Sequence, residues 1–274
     1  MIIDSHQHFW NYDPNRDTWI DESMEVLKKN FLPRDLEPIL NENGVYGCVA
    51  VQADQSEAET DFLLNCATSY PFIKGVVGWV DLCDKNVEIK LKEYAANSIF
   101  KGVRHIVQAE KRNYLLQKEV QRGIGKLSQF NLTYDLLITP EQLPSTIKLV
   151  KNFPKQKFVL DHIAKPNISK PIEKKWLSDI IKLSKNKNVW CKLSGMVTET
   201  REYSFVESDF VPFIDVIFNY FGSDRIMFGS DWPVCILASE YNNVLDIVKN
   251  YLKDYDSNIR FKILGENAKS FYNL

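Results

Sequence analysis

The chain has only four histidines, His6, His8, His105 and His162, and each falls at the C-terminal end of an apolar, strand-like run. His6 and His8 sit two apart in Asp4-Ser5-His6-Gln7-His8, and residues two apart on a strand point to the same side. Two imidazoles facing one way can share a metal ion, a water or an oxyanion. A lone strand histidine is more often a hydrogen-bonded structural residue. The pair, with no histidine placed elsewhere, favours a shared site. Asp231 ends the run Ile226-Met227-Phe228-Gly229-Ser230-Asp231. Bare burial of a carboxylate is costly, so it belongs in a cleft, where it can take a proton from an attacking water or complete a metal shell. A loop cap is its plainer reading.

Further polar residues stand at strand ends. Gln52 and Asp54 end the second run, and Lys192 lies within Cys191-Lys192-Leu193-Ser194-Gly195. Arg104 directly precedes His105, so the two side chains should face opposite ways unless the strand bends. For Arg104 and Lys192, an oxygen-rich ligand and an ion pair with a neighbouring carboxylate are equally open. Trp10 and Trp232 follow the histidine pair and the aspartate, as pocket walls or as caps of the fold. The candidate catalytic set is therefore Asp231, His6, His8, His105 and His162. Trp10, Gln52, Asp54, Arg104, Lys192 and Trp232 are the candidates for holding substrate. His6, His8 and Asp231 would hold any metal, either one zinc-like divalent cation or none.

These residues must be positioned by the elements around them. Eight near-continuous apolar runs occur: 2–8, 46–54, 73–81, 101–107, 132–139, 157–162, 189–195 and 225–231. Such runs suit parallel strands buried on both faces. Segments of helical period follow them at 33–43, 57–70, 85–96, 116–130, 141–152, 174–186, 209–221 and 240–255. Eightfold alternation predicts a single α/β domain over 1–274, closed as a (β/α)8 TIM barrel, whose catalytic face is the C-terminal end of its strands. No GxGxxG follows a strand, which leaves the Rossmann reading without its fingerprint. The longest loops, 9–32 and 196–206, follow strands one and seven, and long irregular loops in compact domains tend to be functional.

Composition removes other function classes. Thirty-six acidic residues against 34 basic ones give a net charge of −2 in 274 residues, which offers no basic face for nucleic acid. Five cysteines, Cys48, Cys66, Cys83, Cys191 and Cys235, show no CxxC spacing and read as reduced thiols. No signal-peptide pattern precedes the first strand, and no apolar run nears the ~20 residues of a membrane span. A cytoplasmic protein is expected; assembly as a homo-oligomer stays open.

The opening Ile3-Asp4-Ser5-His6-Gln7-His8-Phe9-Trp10 resembles the start of the lactonase branch of the amidohydrolase superfamily. Gly102-Val103-Arg104-His105, Leu160-Asp161-His162-Ile163-Ala164-Lys165-Pro166, Gly229-Ser230-Asp231-Trp232-Pro233 and Gly265-Glu266-Asn267-Ala268-Lys269-Ser270-Phe271-Tyr272 resemble its later blocks, in order along almost the whole chain. The resemblance implies a hydrolase that opens the cyclic ester of a small sugar-acid lactone. Its metal-rich members carry a histidine after strand five, where this chain has Leu136-Leu137-Ile138-Thr139, so a binuclear centre is not expected. A metal-dependent decarboxylase or amide hydrolase of the same superfamily shares the HxH pair and the strand-eight aspartate. A non-catalytic sugar-binding barrel is the reading from outside enzymes.

Overall fold

The computed structural model describes all of residues 1–274. Its strands are β1 (Ile2–Gln7), β2 (Val45–Val51), β3 (Ile73–Gly78), β4 (Phe100–His105), β5 (Thr133–Leu136), β6 (Phe158–Leu160), β7 (Val189–Leu193) and β8 (Ile226–Phe228). Each pairs in parallel with the next, in the order β1 to β8. The sheet closes past the end of β8: the Asp231 amide donates to the His6 carbonyl at 2.8 Å, and the His8 amide donates to the Trp232 carbonyl at 2.7 Å. The helices α1 (Pro33–Glu42), α2 (Glu57–Ser69), α3 (Val87–Ala95), α4 (Lys118–Leu127), α5 (Leu143–Asn152), α6 (Lys174–Ser184), α7 (Val211–Phe221) and α8 (Tyr241–Tyr251) lie between and after the strands. This is the (β/α)8 barrel that the alternation of runs predicts. No helix is long and apolar enough to cross a membrane.

Strand parity divides the apolar residues into two buried clusters. Cys48, Tyr134, Leu160, Cys191 and Phe228 join the helices in the outer core. Ile3, Val49, Val51, Val77, Val159 and Met227 fill the lower barrel interior. Ala268, Phe271 and Tyr272 pack against that interior cluster. They belong to a C-terminal segment that the helical periodicity does not reveal: α9 (Ser257–Phe261), a π-turn (Lys262–Glu266) and α10 (Asn267–Tyr272). Its pieces are too short for a stable amphipathic stripe, and a π-turn shifts the helical phase between them. Gly265 lets this segment dock, since a Cβ there would lie 2.4 Å from the Met1 carbonyl oxygen.

A bulge in β1 sets the catalytic register. Asp4 pairs with Cys48 but Gln7 pairs with Ala50, three steps on one strand against two on the other. Such an extra residue re-aims the side chains beyond it. Asp4 consequently binds Tyr241 of α8 at 3.1 Å, while His6, two residues on, joins the interior.

Candidate active site

Four donor atoms converge at the C-terminal end of the barrel. His6 Nε2 and His8 Nε2 are 3.2 Å apart. Asp231 Oδ1 lies 3.3 Å from His8 Nε2, 3.7 Å from His6 Nε2 and 3.9 Å from His162 Nε2. The structure brings His6, His8, His162 and Asp231 together. His105 is placed elsewhere. Arg104 takes the inward position, and His105, one residue on, turns outward to stack on Tyr114 at 4.7 Å and contact Glu110 at 3.2 Å and the Trp79 indole N–H at 3.2 Å. Strand alternation, which set Arg104 and His105 on opposite sides, separates it from the other three.

Local backbone holds the cluster. After β6 the chain makes a left-handed turn, with φ of 52°, 49°, 63° and 51° at His162, Ile163, Ala164 and Lys165. Asp231 also has φ 61°. Each such non-glycine residue costs on the order of 1–2 kcal/mol and persists where the surroundings over-determine it. Gly195, at φ 60°, makes room for the result: a Cβ there would sit 2.4 Å from His162 Nδ1. That nitrogen contacts Ser194 Oγ at 2.9 Å. The His8 Nδ1 contact to the Val51 carbonyl, at 2.7 Å, puts a proton on Nδ1 and turns Nε2 towards the cluster.

Beneath the histidines is a charge network. Lys192 is fully buried and lies 2.6 Å from Asp135 Oδ2, 3.0 Å from Asp161 Oδ1 and 3.1 Å from His6 Nδ1. Arg104 Nη1 contacts Asp161 Oδ2 at 3.4 Å and His6 Nε2 at 3.3 Å, and its Nη2 donates to the Gln52 carbonyl. Of the two readings open for these basic residues, the ion pair is what the structure shows for Lys192; Arg104 makes one and also faces the cavity. Burial pushes the His6 imidazole well below its usual range, and burial takes His162 down to about 4. Both are neutral at neutral pH. Burial alone would raise the Asp231 carboxyl, but His162, His8 and His6 together hold it below the usual carboxylate range. Asp231 is therefore ionised beside the neutral imidazoles of His6 and His162, a state in which the carboxylate can accept a proton.

A cavity of about 440 Å³ opens above this centre. His8, His162, Asp231, Arg104 and Trp10 of the candidate residues line it, together with Gln55, Gln108, Lys165, Glu199 and Tyr203. Both long loops contribute, 9–32 through Trp19 and Met24 and 196–206 through Thr198, Glu199 and Tyr203. Gln52, Asp54, Lys192 and Trp232 do not line it. Gln52 donates to the Arg104 carbonyl at 3.2 Å, Asp54 accepts from Ser56 at 2.6 Å, and Trp232 packs edge-on against Phe9 and Phe31.

One residue behind the cavity wall gives a pH test. Glu59 is buried and accepts from the amide of Ala53, which lines the cavity, at 3.1 Å. Burial raises its carboxyl from 4.5 to about 7. A carboxyl whose folded value lies above its unfolded one favours the folded state below pH 4.5 and loses that contribution as pH rises through 7. Glu59→Gln keeps an acceptor for Ala53. It is expected to raise stability by up to about 3 kcal/mol above pH 7 and leave it unchanged at pH 4. Urea unfolding at both pH values reads this, and an equal effect at the two would refute the burial account.

The donor set suits one divalent cation. A tetrahedral ion with bonds of about 2.0–2.1 Å holds its ligands about 3.3 Å apart, close to the separations among His6, His8 and Asp231. Asp231 Oδ1 is buried with no hydrogen-bond partner, the orphaned acceptor that an ion would satisfy.

The family model described as amidohydrolase matches residues 3–274. This protein belongs to the amidohydrolase family. It is 30% identical to an L-fucono-1,5-lactonase of Burkholderia ambifaria over 99% of this chain and 95% of that one. It is 34% identical to an L-fucono-1,5-lactonase of Burkholderia multivorans over 92% and 88% respectively. A crystal structure of a Burkholderia multivorans amidohydrolase with bound zinc matches with a TM-score of 0.95 and 33% identity, covering 100% of this chain and 99% of that one.

Sequence reasoning missed Asp135 and Asp161 as parts of the site. The signal was available: each carboxylate sits at an inward position of an apolar run, Asp135 in register with Arg104 and Val159. Of the lining residues, Gln55 lies in a loop and Gln108, Glu199 and Tyr203 in single 3-10 turns, too short for a periodicity to mark a side chain's direction.

Proposed function

We propose that this amidohydrolase opens the cyclic ester of a sugar-acid lactone by attack of a water that Asp231 deprotonates. The observation that carries this reading is the Asp231 carboxylate set 3.3–3.9 Å from the Nε2 atoms of His6, His8 and His162 at the floor of a cavity. The similarity to proteins named L-fucono-1,5-lactonase supports the substrate class. Asp231 accepts the water's proton, and the protonated carboxyl then returns it to the departing ring oxygen. Arg104, facing the cavity, is placed to stabilise the oxyanion. His6, His8 and Asp231, with His162 beside them, would hold a zinc-like ion, which supplies Lewis-acid polarisation of the carbonyl and a lowered pKa for bound water. The cavity's solvent-shielded floor keeps these charges effective.

The walls divide by chemistry. Trp10, Trp19, Met24, Val234 and Leu237 form an apolar arc over β1 and β8, where the short helices Glu22–Leu27 and Val234–Leu237 pack together. Gln55, Gln108, Lys165, Glu199 and Tyr203 supply hydrogen-bonding groups elsewhere on the wall. A 6-deoxy aldonolactone of five- or six-membered ring suits this division, its methyl on the arc and its hydroxyls on the polar groups. A matched hydroxyl is worth about 1–3 kcal/mol when its loss leaves buried groups unpaired. The sugar lactone should therefore exceed unsubstituted butyrolactone in kcat/KM by at least about tenfold. A pH-indicator assay across lactones, run beside aromatic carboxylates with carbon dioxide detection, tests the reading. Acid release from lactones alone supports it. Carbon dioxide release, or equal kcat/KM for substituted and bare rings, would refute the lactonase or the sugar assignment respectively.

A further inference from the structure

Tyr272 closes the end of the barrel opposite the cavity, yet its side chain does more than fill space. It is buried at 2% exposure, and its hydroxyl donates to Asp135 Oδ2 at 2.7 Å. The same oxygen accepts from Lys192 Nζ at 2.6 Å, and Lys192 Nζ in turn stands 3.1 Å from His6 Nδ1. The ammonium lies 5.5 Å from the centre of the Tyr272 ring. One unbroken buried path thus runs from the C-terminal helix to the histidine at the heart of the site. Phe271, the neighbouring plug residue, needs no polar partner; a plug alone would be served as well by phenylalanine at 272.

We infer that Tyr272 is a positioning residue for His6, acting through Asp135 and Lys192. Lys192 stands among three neighbours, Asp135, Asp161 and His6 Nδ1. The ammonium's place is a balance between the Asp135 side and the Asp161 side. Tyr272 fixes the Asp135 oxygen from below. Without that hydroxyl, Asp135 is held by Lys192 alone, because its other oxygen has no partner, and the ion pair can shift as a unit. Lys192 then leaves its post under His6, and of the two contacts that orient the imidazole from its Nδ1 side only Asp161 Oδ1, at 3.4 Å, remains. A pre-organised site depends on such supporting contacts, whose loss typically lowers activity 10- to 100-fold.

Tyr272→Phe removes one oxygen and keeps the ring. Two measurements separate positioning from packing. The first is kinetics on a lactone substrate, which rests on the lactonase reading: kcat falls about 10- to 100-fold with KM within about twofold. The second stands without that reading: the ring-nitrogen resonances of ¹⁵N-histidine protein. With four histidines in the chain, a His6→Asn variant assigns His6 directly. The His6 resonances are expected to move in Tyr272→Phe while those of His105, held apart by Glu110 and Trp79, stay. Asp135→Asn keeps the volume and removes the charge that holds Lys192, and it should reproduce both effects if Tyr272→Phe folds poorly. Unchanged His6 resonances in a folded variant would overturn the inference, whatever the kinetics. Moved resonances in a protein that turns over no lactone would leave the inference standing and refute the lactonase reading.

Discussion

Asp231→Asn is expected to lower kcat on a sugar lactone by about 10²- to 10⁴-fold, the range that a positioned general base supplies, and to leave the fold intact. Asparagine is nearly isosteric, so it keeps the left-handed backbone at φ 61°, which asparagine tolerates as aspartate does. The amide cannot accept the water's proton. In the wild type, Asp231 Oδ1 faces His6 Nε2, His8 Nε2 and His162 Nε2 at 3.7, 3.3 and 3.9 Å, whereas Asp161 meets His6 on its Nδ1 side at 3.4 Å and is paired with Lys192 and Arg104. Substrate affinity should change little, because Arg104 and the polar wall are untouched. His105→Asn is the control: its contacts with Glu110, Trp79 and Tyr114 lie outside the cluster, and kcat should stay within about threefold of wild type, well short of the loss of a base. Steady-state kinetics and thermal unfolding of both variants decide the matter. An Asp231→Asn enzyme within tenfold of wild type, or a His105→Asn enzyme as slow as it, would break the assignment of roles.

The barrel and its centre were legible in the sequence for one physical reason. Parallel strands buried on both faces read as continuous apolar runs, and a polar residue at the end of such a run has few places to go but the catalytic face. That argument placed His6, His8, His162 and Asp231 together without knowledge of any contact. It overreached with His105, because the end of a run marks the height of a residue along the barrel and not its side; the alternation with Arg104 carried the side. Gln52 and Lys192 stand at the right height and support the cavity from outside its lining, for residues below the first layer meet other residues before they meet a ligand. Trp232 faces Phe9 and Phe31 because the chain has already left the strand. The C-terminal plug, split by a π-turn, carried no period to read.

Lys192→Met is expected to destabilise the protein by about 3–5 kcal/mol, the cost of leaving a buried charge without its partner. Methionine fills much of the lysine stem's volume, so the loss is electrostatic. Asp161 keeps Arg104 at 3.4 Å, but Asp135 keeps only the Tyr272 hydroxyl at 2.7 Å. Burial already raises the Asp135 carboxyl against the pull of Lys192, so removal of that pull raises it further. A folded-state value above the unfolded one makes the protonated form the stable one, so the penalty is greatest at high pH and shrinks as pH falls. Urea unfolding at pH 8 and pH 5 should show the larger loss at pH 8. Adding Asp135→Leu to Lys192→Met removes the stranded carboxylate, and a buried pair replaced by apolar residues of similar size is often neutral or stabilising. The double variant should therefore recover at least half of the lost stability, with a coupling of more than about 2 kcal/mol in the cycle. Its activity should remain as low as that of the single variant, since neither restores the contact beneath His6. A double variant no more stable than Lys192→Met would show that the lysine's packing, and not its charge, holds the barrel interior; full activity in either variant would remove Lys192 from the support of His6.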